Sequence, residues 1–170
     1  MAKIAGCRAV GIAGSETKNA YLTDELGFNA AINYKTGDIG AALDRACPDG
    51  INVYFENVGG AVSEAVYPRL AARARVVVCG GVSQYNLKSP QTTLSNLQNI
   101  LFTEAQVGGF NIFSYAARYD DGRKRLAGWL AEGRLKYKED VVEGLENAPG
   151  AFLRFFDGET FGKLLVRVAQ

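Results

Sequence analysis

Histidine is absent from the 170 residues. That removes imidazole zinc sites and both Ser-His-Asp and Cys-His nucleophilic catalysis from the chain. Cysteine is scarce and odd in number: Cys7, Cys47 and Cys79 are widely spaced and form no CxxC pair. They read as reduced thiols of a cytoplasmic protein, not as a disulfide or metal framework, and no metal site is expected. An excess of either charge is lacking too. The 19 Lys and Arg against 18 Asp and Glu leave a net +1, which gives no reason to expect nucleic acid or a membrane surface as partner. No apolar run approaches the roughly 20 residues that span a bilayer. The N-terminus shows no apolar segment followed by a cleavage site, so no signal peptide is expected.

What is present suits a globular domain with a core of its own: 48% hydrophobic and 22% charged residues. The strongest local signal is Ile51-Asn52-Val53-Tyr54-Phe55-Glu56-Asn57-Val58-Gly59-Gly60. An apolar, β-branched and aromatic run breaks into polar residues and paired glycines, as a buried strand does where it turns into a helix. Ligands of open α/β sheets bind just beyond such strand ends. The stretch is equally compatible with a turn that merely needs glycine.

Strand and helix patterns alternate around it. Strands are expected at 8–13, 30–34, 75–79 and 107–115. Helices are expected at 16–26 (Tyr21, Leu22 and Leu26 on one face, Gly27 closing), 38–47 and 61–72. A further helix carries Leu94, Leu97 and Leu101, and one at 117–132 turns Leu126, Trp129 and Leu130 inward. Met1 to Ala5 is helix-compatible, with Gly6 as its terminator. The loop 82–92 is polar and contains Tyr85 and Pro90. This order predicts an α/β fold with a doubly wound parallel sheet. After Gly133 the alternation ends: a charged strand at 135–142, a short helix opened by Asn147 and Pro149 with Phe152, Phe155 and Phe156, and a strand at 163–168.

The stretches Gly-Cys-Arg-Ala-Val-Gly-Ile-Ala-Gly-Ser (6–15), Tyr-Phe-Glu-Asn-Val-Gly-Gly (54–60), Val-Cys-Gly-Gly-Val-Ser-Gln-Tyr-Asn (78–86), the run 136–149 and Phe-Gly-Lys-Leu-Leu-Val (161–166) resemble the cofactor-binding half of the medium-chain dehydrogenase/reductase superfamily. More narrowly they resemble its zinc-independent branch of prostaglandin, alkenal and curcumin reductases. The resemblance implies a Rossmann-like domain at 1–133 and a segment at 134–170 that returns to a catalytic domain. It also implies that the first strand and the glycine-rich pyrophosphate turn are missing, so the strand order 3-2-1-4-5-6 lacks its middle member. Another copy or chain would have to supply that strand if it is not simply absent.

The cofactor implied is NADP. A NAD-preferring fold ends its second strand with a carboxylate for the ribose 2′-hydroxyl, whereas here that strand ends Ala13-Gly14-Ser15. An acid-free turn followed by Lys18 suits a 2′-phosphate; Glu16 is the counter-signal. By resemblance Lys18 and Tyr34 contact that phosphate and Asn57 contacts the cofactor, while Glu56 is read as structural or as support for its neighbour. Gly59 and Gly60 are read as turn residues. Cys79 and Gly80 lie beside the nicotinamide ribose, with Cys79 as a packing residue and not a nucleophile. Ser83 and Tyr85 follow in the loop, Tyr85 equally readable as an exposed aromatic. Phe110 and Ile112 match a main-chain nicotinamide contact, on an edge strand around Phe110–Tyr115 that would pair in a homodimer. Thr160 stands where relatives often carry asparagine. No residue presents itself as a catalytic acid or base. The activity implied is NADPH-dependent reduction of the C=C bond of α,β-unsaturated aldehydes or ketones. Quinone reduction, or a non-catalytic nucleotide-binding or oligomerisation module, are the alternatives.

Overall fold

The computed structural model describes residues 1–89 and 97–168. Leu94, Pro90 and the end of the loop at 82–92 lie outside the described residues. The first residues make a terminal helical turn closed by glycine. Cys7 N donates to Ala2 O at 3.0 Å and Gly6 N to Lys3 O at 3.0 Å, with Gly6 left-handed at φ +81°. These are the two hydrogen bonds of a Schellman motif.

The first two strands, β1 (Val10–Ala13) and β2 (Ala30–Asn33), pair in parallel through a helix, α1 (Glu16–Ala20). The chain continues from α1 into a π-helical turn, Tyr21–Glu25. The single helix expected at 16–26 is therefore two registers of one element. One extra residue enters the ladder, and the apolar spacing of Tyr21, Leu22 and Leu26 does not register it. The Asp38 side chain accepts from Ala41 N at 3.2 Å and starts α2 (Ile39–Ala46), as an aspartate N-cap does.

Three further strands form a second parallel sheet in the order β3-β4-β5, comprising β3 (Ile51–Glu56), β4 (Leu70–Val78) and β5 (Gln106–Gly109). The helices α3 (Gly60–Val66) and α4 (Leu97–Thr103) cross between them. The expected helix at 61–72 stops early. Tyr67, Pro68 and Arg69 tighten into a 3-10 turn, and Leu70 and Ala74 are buried as strand residues against β3. The pairing slips between Ile51 and Val53, with Arg73 left-handed at φ +58°, as in a bulge.

The strand expected at 107–115 ends at Gly109. Asn111 Oδ1 accepts from Phe113 N at 3.1 Å and turns the chain into a 3-10 segment, Ile112–Arg118. Such local capping competes with ladder pairing. No edge strand exists at Phe110–Tyr115 for a second subunit to pair with. The helix α5 (Tyr119–Ala131) follows. Leu126 and Leu130 do not turn inward; they are 38% and 40% exposed, and Arg125 lies over Trp129 at 4.9 Å.

The last part pairs β6 (Glu139–Glu143) with β7 (Lys163–Arg167) in parallel, bridged by α6 (Ala148–Asp157). The strand expected at 135–142 thus begins four residues late. Phe152, Phe155 and Phe156 are exposed on α6.

One core joins the first two sheets: Ile32, Leu43, Ala46, Val62, Val66, Tyr67, Leu70, Ala74 and Val76. Arg69 and Asp44 bind bidentately across α2 and the 3-10 turn, at 2.6 and 2.9 Å. Arg8 reaches Ala46 O from the chain before β1. Laid side by side the strands run β2-β1, then β3-β4-β5. That is the doubly wound order with its central place unfilled among the described residues. On β3 the side chains of Val53 and Phe55 share one face and are 66% and 63% exposed.

Candidate functional site

The carboxyl ends of β1 to β4 carry most of the polar residues singled out by sequence. At the tip of β1, Ser15 caps α1 by accepting from Lys18 N at 3.3 Å. Gly14 lies under the Tyr34 ring: a Cβ there would come within 2.9 Å of the Tyr34 hydroxyl. Tyr34 itself is exposed. Glu16 is drawn to the tip of β2, where it accepts from Asn33 Nδ2 at 2.6 Å. The turn between Gly14 and Tyr34 therefore presents a hydroxyl and main chain but no carboxylate of its own.

The tips of β3 and β4 form the second half. Asn57, Gly80 and Tyr85 meet closely, since a Cβ on Gly80 would lie 2.7 Å from Asn57 Oδ1 and 2.9 Å from the Tyr85 hydroxyl. A larger residue there would have to push both side-chain ends aside. Gly81 N donates to the Tyr85 hydroxyl at 3.2 Å, so the hydroxyl returns to the turn while the residue stays 66% exposed. Ser83 packs near Gly59 and Gly60. The two glycines are left-handed at φ +75° and +58°, the turn role expected of them.

Beneath this rim sits a buried carboxylate that sequence reasoning left as support. Glu56 is 4% exposed. Its Oε1 accepts from Val58 N and Gly59 N, both at 2.8 Å, and its Oε2 accepts from the Ser63 hydroxyl. Burial pushes the Tyr54 hydroxyl well above its ordinary range, Ser63 draws it down, and Glu56 adds to the rise. Tyr67 is raised by burial and by Glu56. The acid before a glycine pair was the visible signal; its grip on the first turn of α3 was not.

Lys18 lies apart from the Asn57 cluster. Its ammonium donates to Gly158 O at 2.5 Å, where α6 ends in a left-handed glycine. A cleft of about 320 Å³ opens there, lined by Ala13, Lys18, Tyr21, Lys136, Thr160 and Phe161 among others. Lys138 stands 4.0 Å over the Phe161 ring, and Tyr21 meets Phe161 edge-on at 5.3 Å. Thr160 shares this cleft with Lys18, a juxtaposition concealed by their distance along the chain. A second, larger cleft of about 840 Å³ lies between the starts of α2 and α3, lined by Gly37, Asp38, Gly60, Arg69, Ser83 and Gln84 among others. Cys79 is exposed at the end of β4, bonded through its N–H to Glu56 O at 2.8 Å.

Phe110 N donates to Val78 O at 2.8 Å, the last ladder bond, and its ring meets Tyr115 at 5.1 Å. Ile112 opens the 3-10 segment, half exposed. Through its bond to Val78 O, Phe110 is tied to the end of β4, next to Cys79. Among the described residues no group of three or more His, Cys, Asp or Glu could hold a metal ion, and no helix is long and apolar enough to cross a membrane.

Parallel strands joined by crossing helices, with polar tips gathered at the carboxyl ends around an unfilled centre, define a Rossmann-like dinucleotide-binding architecture. The chain belongs to the family described as zinc-binding dehydrogenase, whose match covers residues 1–128, and so to the medium-chain dehydrogenase/reductase superfamily. It is 38% identical over 172 residues to the NADPH-dependent curcumin reductase of Escherichia coli, covering 98% of this chain and 50% of that protein. It is 40% identical over 170 residues to the NADP(+)-dependent 2-alkenal reductase of Nicotiana tabacum, covering 99% and 49%. The crystal structure of CurA from Vibrio vulnificus in complex with NADPH superposes with a TM-score of 0.93 at 43% identity, over 99% of this chain and 51% of that one. The chain spans about half the length of the curated relatives it matches.

Proposed function

We propose that the chain is the NADP(H)-holding part of a longer reductase. The observation that carries the reading is the β1 tip. Gly14 lies beneath Tyr34, Ser15 caps α1, and the nearest carboxylate, Glu16, is engaged with Asn33. A 2′-phosphate there meets a hydroxyl, main-chain donors and, once Lys18 leaves Gly158 O, an ammonium. The tips of β3 and β4 bring the polar ends of Asn57 and Tyr85 together over Gly80, at the carboxyl ends of the strands where open α/β sheets bind their ligands. Asn57 offers both a donor and an acceptor amide atom to ribose or carboxamide. Bound NADPH supplies the hydride; this chain's residues hold it and exclude water from one side.

The substrate class we assign is an α,β-unsaturated aldehyde or ketone, reduced at its C=C bond. Support comes from the identity to proteins named for curcumin and 2-alkenal reduction. In this reading residues 1–133 bind the nucleotide in a cytoplasmic enzyme and 134–170 return to a catalytic domain. That enzyme is a homodimer, whose contact involves no strand at 110–115. Titration of the purified chain with NADPH and NADH tests the site: NADPH binding tighter than NADH supports the reading, and equal affinities refute the phosphate assignment. NADPH oxidation by the longer protein, with a 2-alkenal and a quinone in parallel, tests the substrate class. Turnover of the quinone alone overturns it.

A further inference from the structure

The two tips that bear Asn57 and Gly80 are joined through one residue. Glu56 contributes its carboxylate to the β3 turn, through Val58 N and Gly59 N, and to α3 through Ser63. Its main-chain oxygen accepts from Cys79 N at 2.8 Å and Gly80 N at 3.3 Å on the β4 tip. The turn it shapes then continues the stitching, with Val82 N donating to Asn57 O at 3.0 Å and Ser83 N to Val58 O at 2.9 Å. Asn57 is thus held on both sides without its side chain being used, and its Oδ1 is left at the rim against Gly80. An ordinary glycine-rich turn needs no buried charge. Charge-assisted bonds to two consecutive amides are stronger and stiffer than neutral ones.

We propose that Glu56 is a positioning residue for nucleotide binding, fixing the β3 turn so that Asn57 and the β4 tip meet the nucleotide as one preformed surface. The proposal rests on the nucleotide reading of this rim. It assigns Glu56 no contact with the nucleotide: it acts through Asn57 and through the turn at 79–83.

The test uses the full chain in two arms. In the first, NADPH dissociation constants are measured for the wild type, Glu56→Ala, Glu56→Gln, Asn57→Ala and the double variant Glu56→Ala/Asn57→Ala. Glu56→Ala is expected to weaken binding by about tenfold or more, the usual scale for losing charge-assisted bonds. Glu56→Gln keeps an acceptor for both amides and can donate to the Ser63 oxygen, so it stays within about threefold of wild type. The double variant binds no more weakly than Glu56→Ala, because Asn57 has already lost its placement. A core control, Val66→Ala, lowers the melting temperature without moving the dissociation constant measured well below it. Additive losses in the double variant, or an equal loss in the core control, overturn the proposal.

In the second arm, amide hydrogen exchange is followed at residues 58–59 and 79–83. Faster exchange at both segments in Glu56→Ala, restored in Glu56→Gln, supports positioning; exchange unchanged at 79–83 overturns it. If the wild-type chain fails to bind NADPH, the nucleotide reading of the chain fails, while the exchange arm still decides whether Glu56 joins the two tips. If Glu56→Ala does not fold, Glu56→Asp, one methylene too short to keep all three bonds, takes its place in both arms.

Discussion

Asn19 is buried in α1 at 7% exposure, and its Oδ1 has no hydrogen-bond donor among the described residues. A carbonyl in that state costs about 1–3 kcal/mol relative to one that is satisfied or removed. Asparagine is also a weaker helix former than leucine by a few tenths of a kcal/mol. Leucine has nearly the same volume, so Asn19→Leu removes the orphan acceptor without opening a cavity, and repacking of the branched terminus returns up to about 1 kcal/mol of the gain. The net expectation is a stabilisation of about 1–2 kcal/mol, which for a chain of this size raises the melting temperature by about 2–8 °C. Urea unfolding followed by circular dichroism reads it directly: the midpoint rises while the slope stays constant. Asn19→Asp is the companion variant and moves the other way, because it buries a charge in the same unsatisfied place. A loss of stability in Asn19→Leu at unchanged slope refutes the reasoning, since it means that the amide is engaged and its removal costs a bond.

Two further outcomes follow from geometry already described. Lys18→Ala is expected to weaken NADPH by about tenfold and leave NADH within about twofold, the signature of a lost phosphate contact, read by titration calorimetry; equal losses for both nucleotides contradict it. The Arg69 hydrogen bond holds the Asp44 carboxyl below its ordinary value of 3.8, so folding favours the ionised form. The stability this contributes is present at neutral pH and is lost as pH falls below the ordinary carboxylate value, through the lowered folded value. The difference in urea midpoint between wild type and Asp44→Asn should therefore shrink between pH 6 and the acid limit of folding. A difference that grows on acidification contradicts the pairing.

The strands β1, β2 and β3 were legible because each is a largely apolar run closed by Gly or Asn, and the start of α2 because Asp38 stands where a cap is needed. The start of β4 was not. Leu70 to Ala74 is alanine-rich and helical by propensity, and only pairing with Ile51 makes it a strand. Asn111 hid the end of β5 in the same way, since its side chain takes the bond that an extended chain would have left to the sheet. In the site, the meeting of Asn57, Gly80 and Tyr85 follows from neighbouring strand tips and could be anticipated from their order. The partner of Lys18 could not, because Gly158 belongs to a helix far along the chain whose docking no local pattern encodes.

The crowding at Gly80 has a consequence for how this rim can change over generations. A side chain at position 80 must move Asn57 Oδ1 and the Tyr85 hydroxyl together, so a step away from glycine there disturbs both polar groups of the rim at once. A side chain at Gly14 must likewise move the exposed Tyr34 ring. Drift in ligand preference is then expected at neighbours outside that contact, such as the exposed Cys79, and at Ser15 and Ser83 only where their cap and packing roles are kept. Those positions are where diversity among descendants of this sequence should collect, more than at the two glycines.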